Sequence, residues 1–276
     1  MTGALFTYAT SHRIDEVGSG LLRKDLRDVA LIGQARAAKP ALVHDPRREP
    51  LAYRALLTPT GVGPKCHGSG DDWLLLERID APVLWQVGDA RVWIAVAAWV
   101  AGMHRRLAAH DVSGVPLVVH DAALFTAWRE RAAGAGVPAR VLVAHERASS
   151  RLLELPATVI HGDLYASNVL VRSGGTPDVE VWPVDWELAG IGPAVLDVAA
   201  LTAGSGLAPE TRWAMARAYF DASGQPGRAW ETWVADLDAA RLHQCVQWLG
   251  WAPSWTPPVE HRHDWLSQAI ELAERP

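Results

Sequence analysis

Cysteine is scarce in this sequence. Cys66 and Cys245 are the only two, set far apart in a chain of 276 residues. That argues against a disulfide-stapled scaffold and excludes a zinc centre built from thiolates alone, and it fits a reducing, cytoplasmic setting. Lysine is scarce as well: Lys24, Lys39 and Lys65 are the only three among 26 Lys+Arg. Long apolar runs are missing. The longest, residues 92–100, is about half of the roughly 20 residues that a membrane-spanning helix needs, and it carries Trp93 and Trp99. The first six residues, Met-Thr-Gly-Ala-Leu-Phe, set no basic stretch ahead of an apolar one and do not read as a signal peptide. No basic stripe with interleaved aromatics occurs, which argues against nucleic acid as a partner.

What remains is the composition of a folded globular protein, with 49% hydrophobic and 21% charged residues. The length suits one large domain or two modest ones. Charge is uneven. Residues 1–150 carry 18 Lys+Arg against 15 Asp+Glu, and residues 151–276 carry 8 against 16. The first part suits an anion and the second a cation, unless this is ordinary surface variation. His261, His263 and Asp264 read as solvated surface rather than as a metal site.

Residues 4–10 are rich in strand formers, 15–20 supply turn chemistry, and 21–26 read as the next strand, with Leu22, Lys24 and Leu26 on one face. Asp45 and Pro46 form a helix start, as N-cap and first helical residue, for a helix that ends at Thr58-Pro59. Residues 73–79 form a buried-type strand ended by Asp80-Ala81-Pro82. Helical spacing follows over 90–109, where Trp99, Met103 and Leu107 share a face, and again over 121–133 and 145–154. Residues 157–171 read as strand, loop and strand, 179–185 as another strand, and the chain from 194 onward as helical. The expectation is an α+β fold of two lobes, a strand-rich one over residues 1–80 and a helical one over 81–276, with a cleft between them.

The informative segment is residues 159–171, Val-Ile-His-Gly-Asp-Leu-Tyr-Ala-Ser-Asn-Val-Leu-Val, in which apolar flanks enclose His161, Asp163 and Asn168. Val184-Asp185-Trp186-Glu187 ends the next strand. Phosphoryl transfer asks for such a set. It needs a carboxylate beside the attacking hydroxyl, and oxygen ligands for a Mg²⁺ that keeps most of its waters and phosphates. Asp163 suits the first task, Asn168 and Asp185 the second.

These motifs, in this order, resemble the aminoglycoside phosphotransferase and choline kinase family, whose loop usually reads His-Gly-Asp-Leu-His-Pro-Gly-Asn. Tyr165, Ala166 and Ser167 depart from that pattern. Residues 190–197, Gly-Ile-Gly-Pro-Ala-Val-Leu-Asp, are similar to the family's Gly-Asp-Pro-x-x-Asp-Leu-Ala, with one Asp missing before Pro193. Residues 100–104, Val-Ala-Gly-Met-His, resemble its Leu-Ala-x-Leu-His helix. The resemblance implies a protein-kinase-like fold and transfer of the γ-phosphoryl group of ATP, with Mg²⁺, to a hydroxyl of a small molecule. It implies Asp163 as the base, Asn168 and Asp185 as metal ligands, Asp197 as a brace for the loop, and His161 as a structural support. Lys24 resembles the strand lysine that holds the nucleotide phosphates, with Glu49 as its partner, and residues 75–79, including Glu77 and Ile79, resemble the hinge that meets adenine.

Alternatives stand beside these readings. Lys24 reads otherwise as a surface lysine, Glu49 as a residue favoured early in a helix by the dipole, and residues 75–79 as a plain connecting strand. No glycine-rich phosphate hairpin precedes Lys24; Gly18-Ser19-Gly20 reads as a strand turn, so that hairpin is either short or begins upstream of Met1. Trp248, Trp251 and Trp255, among 14 tryptophans, form either core or an acceptor pocket. The acidic second part favours a cationic acceptor. The rival functions are a tailoring kinase acting on a peptide or other natural product, and a non-catalytic nucleotide-binding scaffold.

Overall fold

The computed structural model describes residues 12–18, 20–27, 40–175, 178–203, 207–224, 227–251 and 263–275. The strand expected over residues 4–10, together with Trp255 and His261, lies outside the described residues.

Among the described residues the smaller lobe is a four-stranded antiparallel sheet with one helix. Its strands are β1 (Ile14–Glu16) and β2 (Leu21–Asp25), then, after helix α1, β3 (Cys66–Ser69) and β4 (Trp73–Glu77), in the order β1-β2-β4-β3. The turn chemistry starts later than expected, because Asp15 and Glu16 pair with Arg23 and Leu22 across the hairpin. Gly18 and Gly20 supply the left-handed positions that close it. Alternation in β2 buries Lys24 and leaves Arg23 exposed over the Trp73 ring.

Helix α1 begins at Arg48 rather than at Pro46. The Asp45 carboxylate accepts the Arg47 N–H at 2.9 Å and closes a turn of its own ahead of the helix. α1 (Arg48–Ala52) continues through a π-helical turn, Tyr53–Leu57, to Thr60, where Gly61 in the left-handed region ends it.

The larger lobe is mainly helical. α2 (Ala90–Ala108) is N-capped by Asp89, which accepts the Arg91 N–H. It buries Val92, Val96, Val100, Met103 and Leu107, a stripe at helical spacing. β5 (Val118–Val119) leads to α3 (Ala122–Gly134) and α4 (Ala139–Leu153). β6 (Ala157–Ile160), the hairpin of β7 (Val169–Gly175) and β8 (Asp178–Pro183), and β9 (Gly190–Pro193) follow. The lobe ends with α5 (Val195–Leu201), α6 (Pro209–Ser223), α7 (Trp230–Trp251) and α8 (Trp265–Ala273), the last N-capped by Asp264. α7 touches α3, α4, α5 and α8, so it is apolar around much of its circumference, with Trp233, Leu237, Ala240 and Val246 all buried. β5, β9 and β6 form a small sheet in that order. The cysteines are free, Cys245 buried and Cys66 partly so. Among the described residues no helix is long and apolar enough to cross a membrane.

Candidate active site

The site assembles where β6 and β8 end. β6 delivers His161, Gly162 and Asp163. Gly162 has φ of 79°, and a Cβ there would lie 2.2 Å from the Leu188 carbonyl oxygen, so a side chain is excluded on both counts. His161 is fully buried. Its Nε2 lies 2.9 Å from the Val184 carbonyl oxygen and so donates to it, while Nδ1 accepts the Asp163 N–H at 3.2 Å. Both nitrogens are committed to backbone, and the ring holds the shape of the loop.

Asp197, in α5, completes that support. Its carboxylate accepts the N–H of His161 at 2.8 Å and that of Gly162 at 2.9 Å, and it faces His104 Nε2 at 2.9 Å. The other His104 nitrogen faces the Tyr219 hydroxyl at 2.9 Å. Burial alone would raise the Asp197 carboxyl; the His104 contact and the loop N–H groups bring it below its usual value.

Asn168 Nδ2 donates to both the carbonyl oxygen and Oδ2 of Asp163, each at 2.8 Å. With its nitrogen so committed, the amide turns its oxygen elsewhere. Burial, then the nearby Asp185 and Glu187 carboxylates, push the Asp163 carboxyl well above the ordinary range, which favours proton uptake. Asp185 follows β8 with φ of 66°, the only positive value at a non-glycine among the described residues. A conformation of that kind costs on the order of 1–3 kcal/mol and persists where its surroundings impose it.

What imposes it comes from the small lobe. Lys24 Nζ lies 2.7 Å from Glu49 Oε2 and also donates to Asp185 Oδ1. Burial would lower the Lys24 ammonium, but the Asp185 and Glu49 carboxylates hold it above its ordinary value, so it stays charged. Glu49 also accepts the Trp186 N–H at 3.2 Å. Trp186 is fully buried and packs its ring on His161, 4.4 Å between centroids. Lys24 of β2, Glu49 of α1, Asp185 after β8 and Asp163 after β6 therefore converge from four separate segments. Among the described residues no three His, Cys, Asp or Glu side chains form a metal cage. The candidate ligands are one carboxylate and one carboxamide.

A family model described as "Phosphotransferase enzyme family" matches residues 44–243. The chain belongs to the phosphotransferase enzyme family. No curated protein matches its sequence. Among solved structures, the choline kinase LicA from Streptococcus pneumoniae is 14% identical, with 95% of this chain and 89% of that one covered and a TM-score of 0.65. A choline/ethanolamine kinase family protein from Mesorhizobium loti is 17% identical, over 98% and 87% of the two chains, with a TM-score of 0.62. An aminoglycoside-3'-phosphotransferase of type VIII is 22% identical, over 86% and 94%, with a TM-score of 0.54. These likenesses show the protein-kinase-like fold.

Within this phosphotransferase, Glu77 and Ile79 stand apart from the cluster. Glu77 pairs with Leu21 while Lys24 pairs with Leu74, a separation of about 10 Å along the ladder. The Glu77 N–H is spent on the Lys65 carbonyl at 2.8 Å, and Ile79 lies beyond the end of β4. Trp248 and Trp251 are half-buried on α7, and the Trp248 indole N–H donates to the Tyr165 hydroxyl.

Two site residues have no sequence signal. Arg48 is buried and donates to the carbonyl oxygens of Val43, Pro116 and Glu187, each at 2.6 Å. It fastens the start of α1 beside Glu49 to the turn after Asp185. His12 is buried with Nδ1 3.6 Å from Glu187 Oε2, and these two line a cavity with Leu26, Glu49, Leu188 and Trp251.

Proposed function

We propose that this phosphotransferase is an ATP-dependent kinase that moves the γ-phosphoryl group to a hydroxyl of a small molecule. The observation that carries the reading is the charged Lys24 held between Glu49 and Asp185 in the wall that also contains Asp163. Residues 1–80 form the nucleotide-side lobe and residues 81–276 the lobe for catalysis and the acceptor. Lys24, aimed by Glu49, meets the nucleotide phosphates as a fixed positive charge. The connecting segment at Glu77 and Ile79 meets the nucleotide's adenine, Glu77 through its carbonyl rather than its committed N–H. Asp185 and the Asn168 amide oxygen are the ligands for Mg²⁺; an all-oxygen set with few protein atoms suits that ion, which supplies charge neutralisation on the phosphates when bound. Asp163 takes the proton of the acceptor hydroxyl as its oxygen bonds to the γ-phosphorus and ADP departs. Structural relatives that include choline, ethanolamine, aminopropanol and aminoglycoside kinases support a small hydroxyl-bearing acceptor.

The test is a thermal-shift titration with ATP and Mg²⁺, followed by ADP release over a panel of amino alcohols, sugars, aminoglycosides and hydroxyl-bearing peptides. A Mg²⁺-dependent shift and turnover on a small-molecule member are expected. Retained turnover in Asp163→Asn would sink the mechanism. Turnover on peptides alone would favour a tailoring kinase, and nucleotide binding without any turnover a scaffold.

A further inference from the structure

Tyr165 sits midway between Asp163 and Asn168, and backbone hydrogen bonds fix it from both sides. Its N–H donates to the Asp163 carbonyl and its own carbonyl accepts the Asn168 N–H, each at 2.8 Å. The ring points toward α7. There the hydroxyl oxygen accepts from Gln244 Nε2 at 2.6 Å and from the Trp248 indole N–H. An indole nitrogen only donates, so the direction of the second bond is settled.

A phenol oxygen that has accepted two hydrogen bonds has used its lone pairs and still carries one hydrogen. Among the described residues that hydrogen has no acceptor. A phenol keeps that hydrogen at neutral pH. Gln244, Trp248 and Trp251 lie four and three residues apart and share one side of α7, and Trp251 lines the cavity beside Glu187 and Glu49. With the Gln244 amide placed this way round, Tyr165 is a donor, two residues along the chain from Asp163.

We propose that Tyr165 is a specificity-determining residue whose O–H donates to an acceptor oxygen beside the reacting hydroxyl, selecting diol- or sugar-like acceptors over those with an ammonium there. This rests on the kinase reading above. An ammonium carries only hydrogens to offer, and the Tyr165 oxygen has no lone pair left to receive one. The excess of Asp and Glu over residues 151–276 favours cations in general, whereas this contact acts at one atom of the acceptor.

The experiment measures ADP release with wild type and Tyr165→Phe on matched trios with hydroxyl, amine or hydrogen at the neighbouring carbon. The probes are 1,2-propanediol, 1-amino-2-propanol and 2-propanol, then glucose, glucosamine and 2-deoxyglucose. Wild type is expected to favour the hydroxyl member of a trio by about tenfold in kcat/KM, the value of one hydrogen bond. In Tyr165→Phe that ratio falls toward one, mainly through KM. Gln244→Glu gives a second variant, in case the first does not fold: its carboxylate draws the phenol hydrogen to itself and collapses the same ratio. An equal loss on all three members would assign Tyr165 to loop packing and overturn the proposal. So would a wild-type preference for the amine, or no turnover on either trio with nucleotide binding intact. Failure to bind nucleotide at millimolar ATP would instead bring down the kinase reading, and this assignment with it.

Discussion

Lys24 and Asp185 are 161 positions apart in the sequence and meet in one partly buried ion pair, with the buried Glu49 on the other side of the ammonium. Two carboxylates thus depend on one cation. Replacement of Lys24 by Met leaves the buried Glu49 and the partly buried Asp185 without it, and breaking a buried pair such as Lys24–Glu49 costs about 3–5 kcal/mol. Urea denaturation of Lys24→Met is expected to show a loss of that size, and the Mg²⁺-nucleotide thermal shift is expected to vanish.

Asp163 behaves in the opposite sense. Burial and the like charges of Asp185 and Glu187 already work against its ionised form. Asp163→Asn removes that penalty and is expected to raise the melting temperature by about 2–4 °C for a gain of about 1 kcal/mol. The same change removes the proposed base, so kcat is expected to fall by about 10²–10⁴-fold while nucleotide binding is retained. Calorimetry and single-turnover kinetics on one variant check both halves.

Gly162 tests the loop. Ala there places its Cβ 2.2 Å from the Leu188 carbonyl oxygen in a left-handed conformation, and backbone cannot yield as a side-chain tip can. Gly162→Ala is expected to lose several kcal/mol or fail to fold, as judged by near-ultraviolet circular dichroism. Gly174→Ala, where a Cβ meets open space, is the control and is expected to leave stability near wild type.

His120, His145 and His243 gather behind the site. His145 Nε2 and His243 Nδ1 are 3.1 Å apart, and His120 and His243 have ring centroids 6.5 Å apart. Burial lowers all three, His120 and His145 to about 4, and His243 well below its usual value with the two neighbours adding to the effect. The unfolded chain binds protons near the ordinary 6.5 and the folded chain does not. The stability they contribute is therefore complete above pH 6.5 and is lost as pH falls from there toward 4. Each contributes a slope of up to about 1.4 kcal/mol per pH unit. Urea midpoints from pH 7.5 to 5 are expected to fall, and less steeply in His145→Gln.

The loop from His161 to Asp185 is legible in the sequence because phosphoryl transfer requires particular side chains at short, fixed spacings. Lys24 is legible for a different reason: a rare lysine in a strand of apolar neighbours. Arg48 is silent because its partners are backbone carbonyls, which leave no mark on residue identity. Tyr165 reads only as a departure from the usual loop, since its partners on α7 lie 79 and 83 positions away. The late start of α1 has a local cause. Asp45 has the chemistry of an N-cap, but it spends its carboxylate on the Arg47 N–H, one turn too early.

Arg48 sets a limit on movement. Its guanidinium grips carbonyls from the segment before α1, from the strand-side loop at Pro116 and from the turn at Glu187. To swing Glu49 away from Lys24, α1 would have to release all three charge-assisted bonds, one of them buried and two partly so, each worth about 1.5–3 kcal/mol. Kinase-type folds commonly use that swing as their on–off lever. In this chain the lever is bolted at its pivot: the three bonds fasten α1 at its start and keep Glu49 against Lys24.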